Sequence, residues 1–177
     1  MRSDYSKRKN IKAFDLGART LLVLGYGRIG TRVSRLAGSF GMTVLVCDEK
    51  FDRGVSEVDG FEIIHDLDEG LARSTFLTIH IPLTDKSANL INKDRLLKMP
   101  KGSYLVNCAR GGIVDEQALT ELTQSGHIAA SAFDVFSVEP ITVDNPLLSA
   151  KNTQLSPHAA AFTAESLHRM SCLLYTS

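Results

Sequence analysis

The chain has 177 residues, with 20 basic and 20 acidic side chains and no formal net charge. That length suits one domain with a buried core, and the balanced charge argues against a nucleic-acid surface. No apolar run approaches the roughly 20 residues that span a bilayer, and the polar N-terminus lacks the apolar stretch of a secretory signal, so no membrane partner is expected. Lys7-Arg8-Lys9 is the one basic cluster and reads as a solvated face. The three cysteines, Cys47, Cys108 and Cys172, are odd in number and form no C-x-x-C pair. Cys47 and Cys108 are expected to be small buried thiols in a reducing, cytoplasmic setting. Cysteine and histidine nowhere cluster with ligand spacing, so no metal is expected.

The first predicted strand, Leu21-Leu22-Val23-Leu24, runs into Gly25-Tyr26-Gly27-Arg28-Ile29-Gly30. Apolar residues then recur at helical spacing, at Ile29, Val33, Leu36 and Phe40, and Gly41 ends the helix as a C′ glycine. Met42 to Cys47 reads as a buried parallel strand, with Asp48 at its carboxyl end. Strand, glycine turn, helix, strand and acid form the pattern that holds a dinucleotide. Gly25 permits the tight turn, Gly27 lets the backbone approach a pyrophosphate, and Gly30 lets helix pack on strand. The free N–H groups at the helix start, where Arg28 and Ile29 stand, are expected to face the phosphates. Asp48 lies 18 residues after Gly30, a fitting position for an acid on the adenosine ribose. An acid there disfavours a 2′-phosphate, so NAD is expected over NADP; Arg53 nearby could soften that preference or be a surface charge.

Phe61 to Ile64 is a short strand, and Asp66 with Glu69 forms a capping box for the next helix. Thr75 to Ile79 is a strand that ends at His80-Ile81-Pro82. Asn92 caps a helix carrying Leu96 and Leu97, stopped by Pro100 and Gly102. Ser103 to Asn107 is a strand, and Asp115 caps a helix with Ala118, Leu119 and Leu122 inward, closing near Gly126. His127 to Phe133 is a strand ending at Asp134, and Thr153 to Leu155 is the last, before Pro157-His158. The alternation predicts an α/β fold of Rossmann type, a doubly wound parallel sheet with helices on both faces.

The glycine turn, His80-Ile81-Pro82-Leu83-Thr84, Asn107-Cys108-Ala109-Arg110-Gly111-Gly112-Ile113-Val114-Asp115, Phe133-Asp134-Val135-Phe136 with Glu139-Pro140, and Ser156-Pro157-His158 follow one another in that order. Together they resemble the NAD-binding domain of the D-isomer-specific 2-hydroxyacid dehydrogenases, over roughly residues 12–170. The resemblance implies a catalytic trio of Arg110, Glu139 and His158, and hydride transfer between NAD and a small 2-hydroxy or 2-keto acid. Arginine suits a substrate carboxylate because its guanidinium is planar and bidentate. Histidine suits the proton transfer because it titrates near neutrality. A carboxylate beside it favours the imidazolium. The same resemblance places Pro82, Thr84, Cys108, Ala109, Arg110 and His158 along the cofactor cleft and Asp134 on the nicotinamide carboxamide. Read singly, Arg110 is a helix-entry or surface arginine, Glu139 a solvated loop acid and His158 a loop or core histidine. His80 reads as structural, and His65, His127 and His168 have no motif behind them.

In the resembled family a second domain binds substrate, built mainly from a segment before this one. Only about 20 residues precede the first strand here, so residues 1–170 are expected to be the dinucleotide-binding domain without its substrate domain. A helix begins at Ala164, and residues 171–177 read as a truncated or non-native tail. A homodimer is the assembly the family suggests. Two other readings compete: an NAD(H)-sensing protein-interaction module, like the corepressors of this family, and another Rossmann enzyme such as a methyltransferase or adenosylhomocysteinase. Neither of those enzymes would explain Arg110, Glu139 and His158 in order.

Overall fold

In the first strand, alternate side chains feed two different cores. Leu22 and Leu24 point to one and Leu21 and Val23 to the other, because successive residues of a strand face opposite sides of the sheet. The computed structural model describes residues 14–168. A 3-10 turn at Leu16–Ala18 leads into β1 (Thr20–Leu24), α1 (Arg28–Ser39), β2 (Thr43–Cys47), β3 (Glu57–Val58) and β4 (Phe61–Ile63). Then come α2 (Leu67–Arg73), β5 (Phe76–Ile79), α3 (Lys93–Lys98), β6 (Ser103–Asn107), α4 (Glu116–Gln124), β7 (Ile128–Phe133), a 3-10 turn at Pro146–Ser149 and β8 (Thr153–Leu155). Residues 164–168 are helical, and the expected tail at 171–177 lies outside the described residues, as do Lys7-Arg8-Lys9 and Cys172.

The strands form one sheet in the order β3-β4-β2-β1-β5-β6-β7-β8. Every pairing is parallel except the β3–β4 hairpin. This is the doubly wound parallel sheet that the alternation predicts, with the two-residue β3 too short to leave a pattern of its own. The larger core lies between the sheet and α2, α3 and α4, with Leu71, Leu96 and Leu119 fully buried. The smaller core lies under α1 on the opposite face.

Three helix caps expected from sequence are present. Asp66 accepts from the Asp68 N–H, Asn92 from Arg95 and Asp115 from Ala118. Glu69 is not the reciprocal partner of Asp66; it pairs with Arg73 one turn on. The inward face of α1 also differs from expectation. Gly30, Ser34 and Ala37 are buried; of the four expected apolar positions Val33 packs against the smaller core, while Ile29, Leu36 and Phe40 are about two-thirds exposed. The cause is the closeness of helix and strand, since a Cβ on Gly30 would sit 2.0 Å from the Gly25 carbonyl oxygen. Only a residue without a side chain fits that contact, so the first turn of α1 presents Gly30 to the sheet and Ile29 to the outside.

Candidate functional site

Because the strands run parallel, the residues that follow them collect along one edge: Gly25, Asp48, His80, Cys108, Asp134 and Ser156. The winding of the sheet reverses at β1, which has β2 on one side and β5 on the other. Open α/β sheets bind ligands in the crevice at such a point.

The crevice holds a cleft of about 400 Å³, bordered by Gly25, Gly27, Asp48, His80, Pro82 and Thr84 among others. Gly25 has φ +97°, and a Cβ there would lie 2.7 Å from the His80 carbonyl oxygen. Gly27 has an ordinary φ of −81°, and a Cβ on it would meet no protein atom within 4 Å. The protein itself therefore does not require glycine at Gly27; an approaching ligand would. Asp48 is fixed at the rim by two backbone donors, the Tyr26 N–H at 2.6 Å on Oδ2 and the Lys50 N–H at 3.0 Å on Oδ1. The Lys50 ammonium donates back to the Tyr26 carbonyl. Arg28 is exposed at the first position of α1. The Pro82–Thr84 segment is held by buried Ser87, whose Oγ donates to the Pro82 carbonyl at 2.7 Å and accepts from the Thr84 N–H at 2.8 Å.

A second depression of about 220 Å³ joins Ile29, His80 and Pro82 to Cys108, Ala109 and Arg110. His80 thus borders both clefts. Burial lowers its pKa, favouring the neutral ring, and the Thr78 hydroxyl lies 3.0 Å from Nε2. Cys108 is exposed, which corrects the expectation of a buried thiol: it falls after the last residue of β6, on the loop rather than in the sheet. Cys47 is half-buried, and burial raises its thiol to about 11. Asn107, 1% exposed, shapes the loop that carries Arg110. Its Nδ2 donates to the Arg110 carbonyl at 2.9 Å and its Oδ1 accepts from the Ala109 N–H at 3.0 Å.

A third cavity, of about 510 Å³, is lined by Phe136, Glu139, Pro140, Ile141, Pro157 and His158. Here His158 Nδ1 and Glu139 Oε2 are 2.8 Å apart, and Glu139 Oε1 accepts from the Phe136 N–H at 2.9 Å. The His158 contact and the Phe136 N–H hold Glu139 below its ordinary 4.5. His158 has φ +53°, a left-handed conformation uncommon outside glycine and frequent at functional sites. The structure thus brings Glu139 and His158 into contact. The Arg110 guanidinium instead donates to the Ala109 carbonyl. His65 and His127 each contact one backbone carbonyl, that of Val55 and that of Leu96.

The turn bearing His158 is gripped by Asp134, 2% exposed. Its Oδ1 accepts from the Ser156 hydroxyl at 2.5 Å and the Ala159 N–H at 2.9 Å, and its Oδ2 from the Ala160 N–H at 2.8 Å. Burial alone would raise this carboxyl, but the donors outweigh it and hold Asp134 below 3.8. The motif placed Asp134 at the strand end, yet its hold on residues 156–160 depends on a contact between two loops. Asn107 and Ser156 open two of the motifs, but the contacts they make are not legible there, and Ser87 leaves no sequence pattern beyond being a polar loop residue.

The family model for "D-isomer specific 2-hydroxyacid dehydrogenase, NAD binding domain" matches residues 1–160. D-3-phosphoglycerate dehydrogenase of Methanocaldococcus jannaschii is 42% identical over 158 residues, 89% of this chain and 30% of that protein. Glyoxylate reductase of Aeropyrum pernix is 41% identical over 159 residues, 90% of this chain and 47% of that protein. The chain therefore spans less than half the length of these relatives. Among solved structures, an NAD-dependent formate dehydrogenase from Staphylococcus aureus in complex with NAD superposes with a TM-score of 0.85 at 32% identity, covering 96% of this chain and 50% of that one. D-lactate dehydrogenase from Aquifex aeolicus, complexed with NAD and lactic acid, gives 0.82 at 33% identity, covering 97% and 57%.

Proposed function

Since this chain belongs to the D-isomer specific 2-hydroxyacid dehydrogenases through their NAD-binding domain, we propose that it forms the cofactor half of an enzyme interconverting a 2-keto acid and its D-2-hydroxy acid. The observation that carries this reading is the 2.8 Å contact of His158 Nδ1 with Glu139, on the same sheet edge as Arg110 and the glycine cleft. Holding Nδ1 against a carboxylate leaves Nε2 to exchange a proton with the substrate oxygen. Arg110 binds the substrate carboxylate and stabilises charge developing on the carbonyl.

The residues of the first cleft fit a dinucleotide. The open space over Gly27 and the N–H groups at the start of α1 accommodate the pyrophosphate, with Arg28 and Ile29 flanking it. Asp48 takes the adenosine ribose, and Pro82, Thr84, Cys108 and Ala109 line the path to the nicotinamide. Asp134, kept ionised by its three donors, would accept the carboxamide. When bound, NAD supplies the hydride. We place the remaining substrate contacts on a second domain, because the relatives are two to three times as long. A homodimer in the cytoplasm is the assembly and location we propose, tested by sedimentation over a concentration range.

The deciding experiment is oxidation of NADH by the protein containing this domain, with glyoxylate, hydroxypyruvate and pyruvate as acceptors. We expect turnover of one of them, lost in H158A and strongly reduced in R110K. Undiminished turnover by H158A would refute the assignment.

A further inference from the structure

We propose that Glu116 is a positioning residue that holds the Glu139–His158 pair in register with the loop of Arg110. The inference rests on the role given to that pair above. Glu116 is the first residue of α4 and is only 8% exposed. Burying a carboxylate is costly unless its lone pairs are satisfied, and here three donors do so. Oε1 accepts from both the N–H and the hydroxyl of Ser137, each at 2.7 Å, and Oε2 accepts from the Asn145 side-chain amide at 2.8 Å. One carboxylate thus ties together the two ends of the loop 137–145, and Glu139 lies on that loop. Ser137 also directly follows Phe136, whose N–H donates to Glu139.

The same anchor touches the other side of the site. Glu116 stands on the helix that follows the arginine loop, and that loop is wedged against the Phe136–Ser137 peptide. A Cβ on Gly111 would sit 1.8 Å from the Phe136 carbonyl oxygen. The arginine loop, at Gly111, is therefore set against the carbonyl of Phe136 and Glu139 against the N–H of the same residue, and Glu116 fixes the peptide that follows through the Ser137 N–H. Being three residues from the end of β7 on one side and at a helix start on the other, these groups meet only through the fold.

The hydrogen-bond polarity of this cluster supplies the test. In E116Q the new amide would face the Asn145 amide, donor against donor. Asn145 cannot turn over, because its Oδ1 caps the Leu147 N–H at 2.9 Å. E116Q/N145D restores the match: the aspartate keeps the cap with one oxygen and accepts from the glutamine with the other. We would follow the Glu139 carboxyl by carbon NMR across acidic pH in this chain. In the native chain it titrates below 4.5. E116Q is expected to move it upward toward 4.5, and E116Q/N145D to bring it back, with NADH affinity changed by less than about threefold throughout. H158A is the reference: it too should raise the Glu139 titration, since the histidine contact is the largest cause of the lowering. No response to H158A would remove the pair assignment itself. A response to H158A with none to E116Q would overturn the role of Glu116 alone. Should E116Q fail to fold, S137A, which deletes one donor at a surface position, decides instead: an unshifted Glu139 overturns the proposal, and a smaller upward shift supports it.

Discussion

Gly27 and Gly30 stand three residues apart in one turn, and the structure assigns them opposite costs on substitution. A methyl group on Gly30 would lie 2.0 Å from the Gly25 carbonyl oxygen and 3.3 Å from a Val23 methyl. The obstruction is backbone, so α1 itself must recede by well over an ångström. Overpacking of this kind costs typically about 1–3 kcal/mol, and placement against backbone puts it near the upper end. Alanine returns up to about 1 kcal/mol of helix propensity. The net expectation for G30A is a loss of about 2 kcal/mol, or roughly 4–8 °C in Tm for a domain of this size. A methyl group on Gly27 would meet no protein atom and needs no unusual φ. Its stability cost is limited to exchanging glycine for alanine at an N-cap, at most about 1 kcal/mol. It would, however, fill the space proposed for the pyrophosphate, so NADH affinity should fall more than tenfold, about 1.4 kcal/mol or beyond. Denaturant unfolding and calorimetric titration with NADH measure both quantities on the same samples. If G27A binds NADH as well as the unsubstituted chain, the glycine turn is not the phosphate cradle. If G30A unfolds at the native midpoint, the close helix–strand contact is not what demands glycine there.

D134N leaves one oxygen for Ser156 and Ala159 but turns an amide toward the Ala160 N–H; we expect about 1–3 kcal/mol of destabilisation by urea unfolding, and a neutral result would remove Asp134 as the anchor of the His158 turn. Glu139 is held below 4.5 in the native chain, so its contribution to stability is present above that value and is lost as pH falls through the lower native one. Stability measured between neutral and acidic pH should therefore fall less steeply in E139Q than in the native chain across that window. D48A removes the acid proposed to discriminate against a 2′-phosphate, so the ratio of NADPH to NADH affinity should rise by about tenfold or more; an unchanged ratio in calorimetry would locate the discrimination elsewhere.

Much of this protein can be read along the chain, because its determinants are local. The β1 run and the helical spacing after it, the cap residues Asp66, Asn92 and Asp115, and the C′ glycine Gly41 with φ +79° each act within a few residues of their own position. The order of motifs was enough to name the family and to nominate Arg110, Glu139 and His158. Local periodicity failed where an element meets something distant. Ile29 and Leu36 of α1 face outward while Val33 and Ala37 pack on the smaller core, and at Gly30 the helix meets Gly25 too closely for any side chain. Cys108 is exposed although Asn107, the strand residue before it, is buried. The hairpin strand β3 depends on the turn at Asp59 and on pairing with β4, not on any pattern of its own. The arrangement of the candidate site belongs to the tertiary structure in the same sense. Nineteen residues separate His158 from Glu139 and 25 separate Ala159 from Asp134. Whether such groups meet is decided by the parallel register of β6, β7 and β8, which delivers their loops to one edge. The candidate reacting groups can thus be nominated from the sequence, while the contacts that hold their loops, those of Asp134 to Ser156, Ala159 and Ala160 and of Glu116 to Ser137 and Asn145, exist only once the sheet has closed the distance between loops.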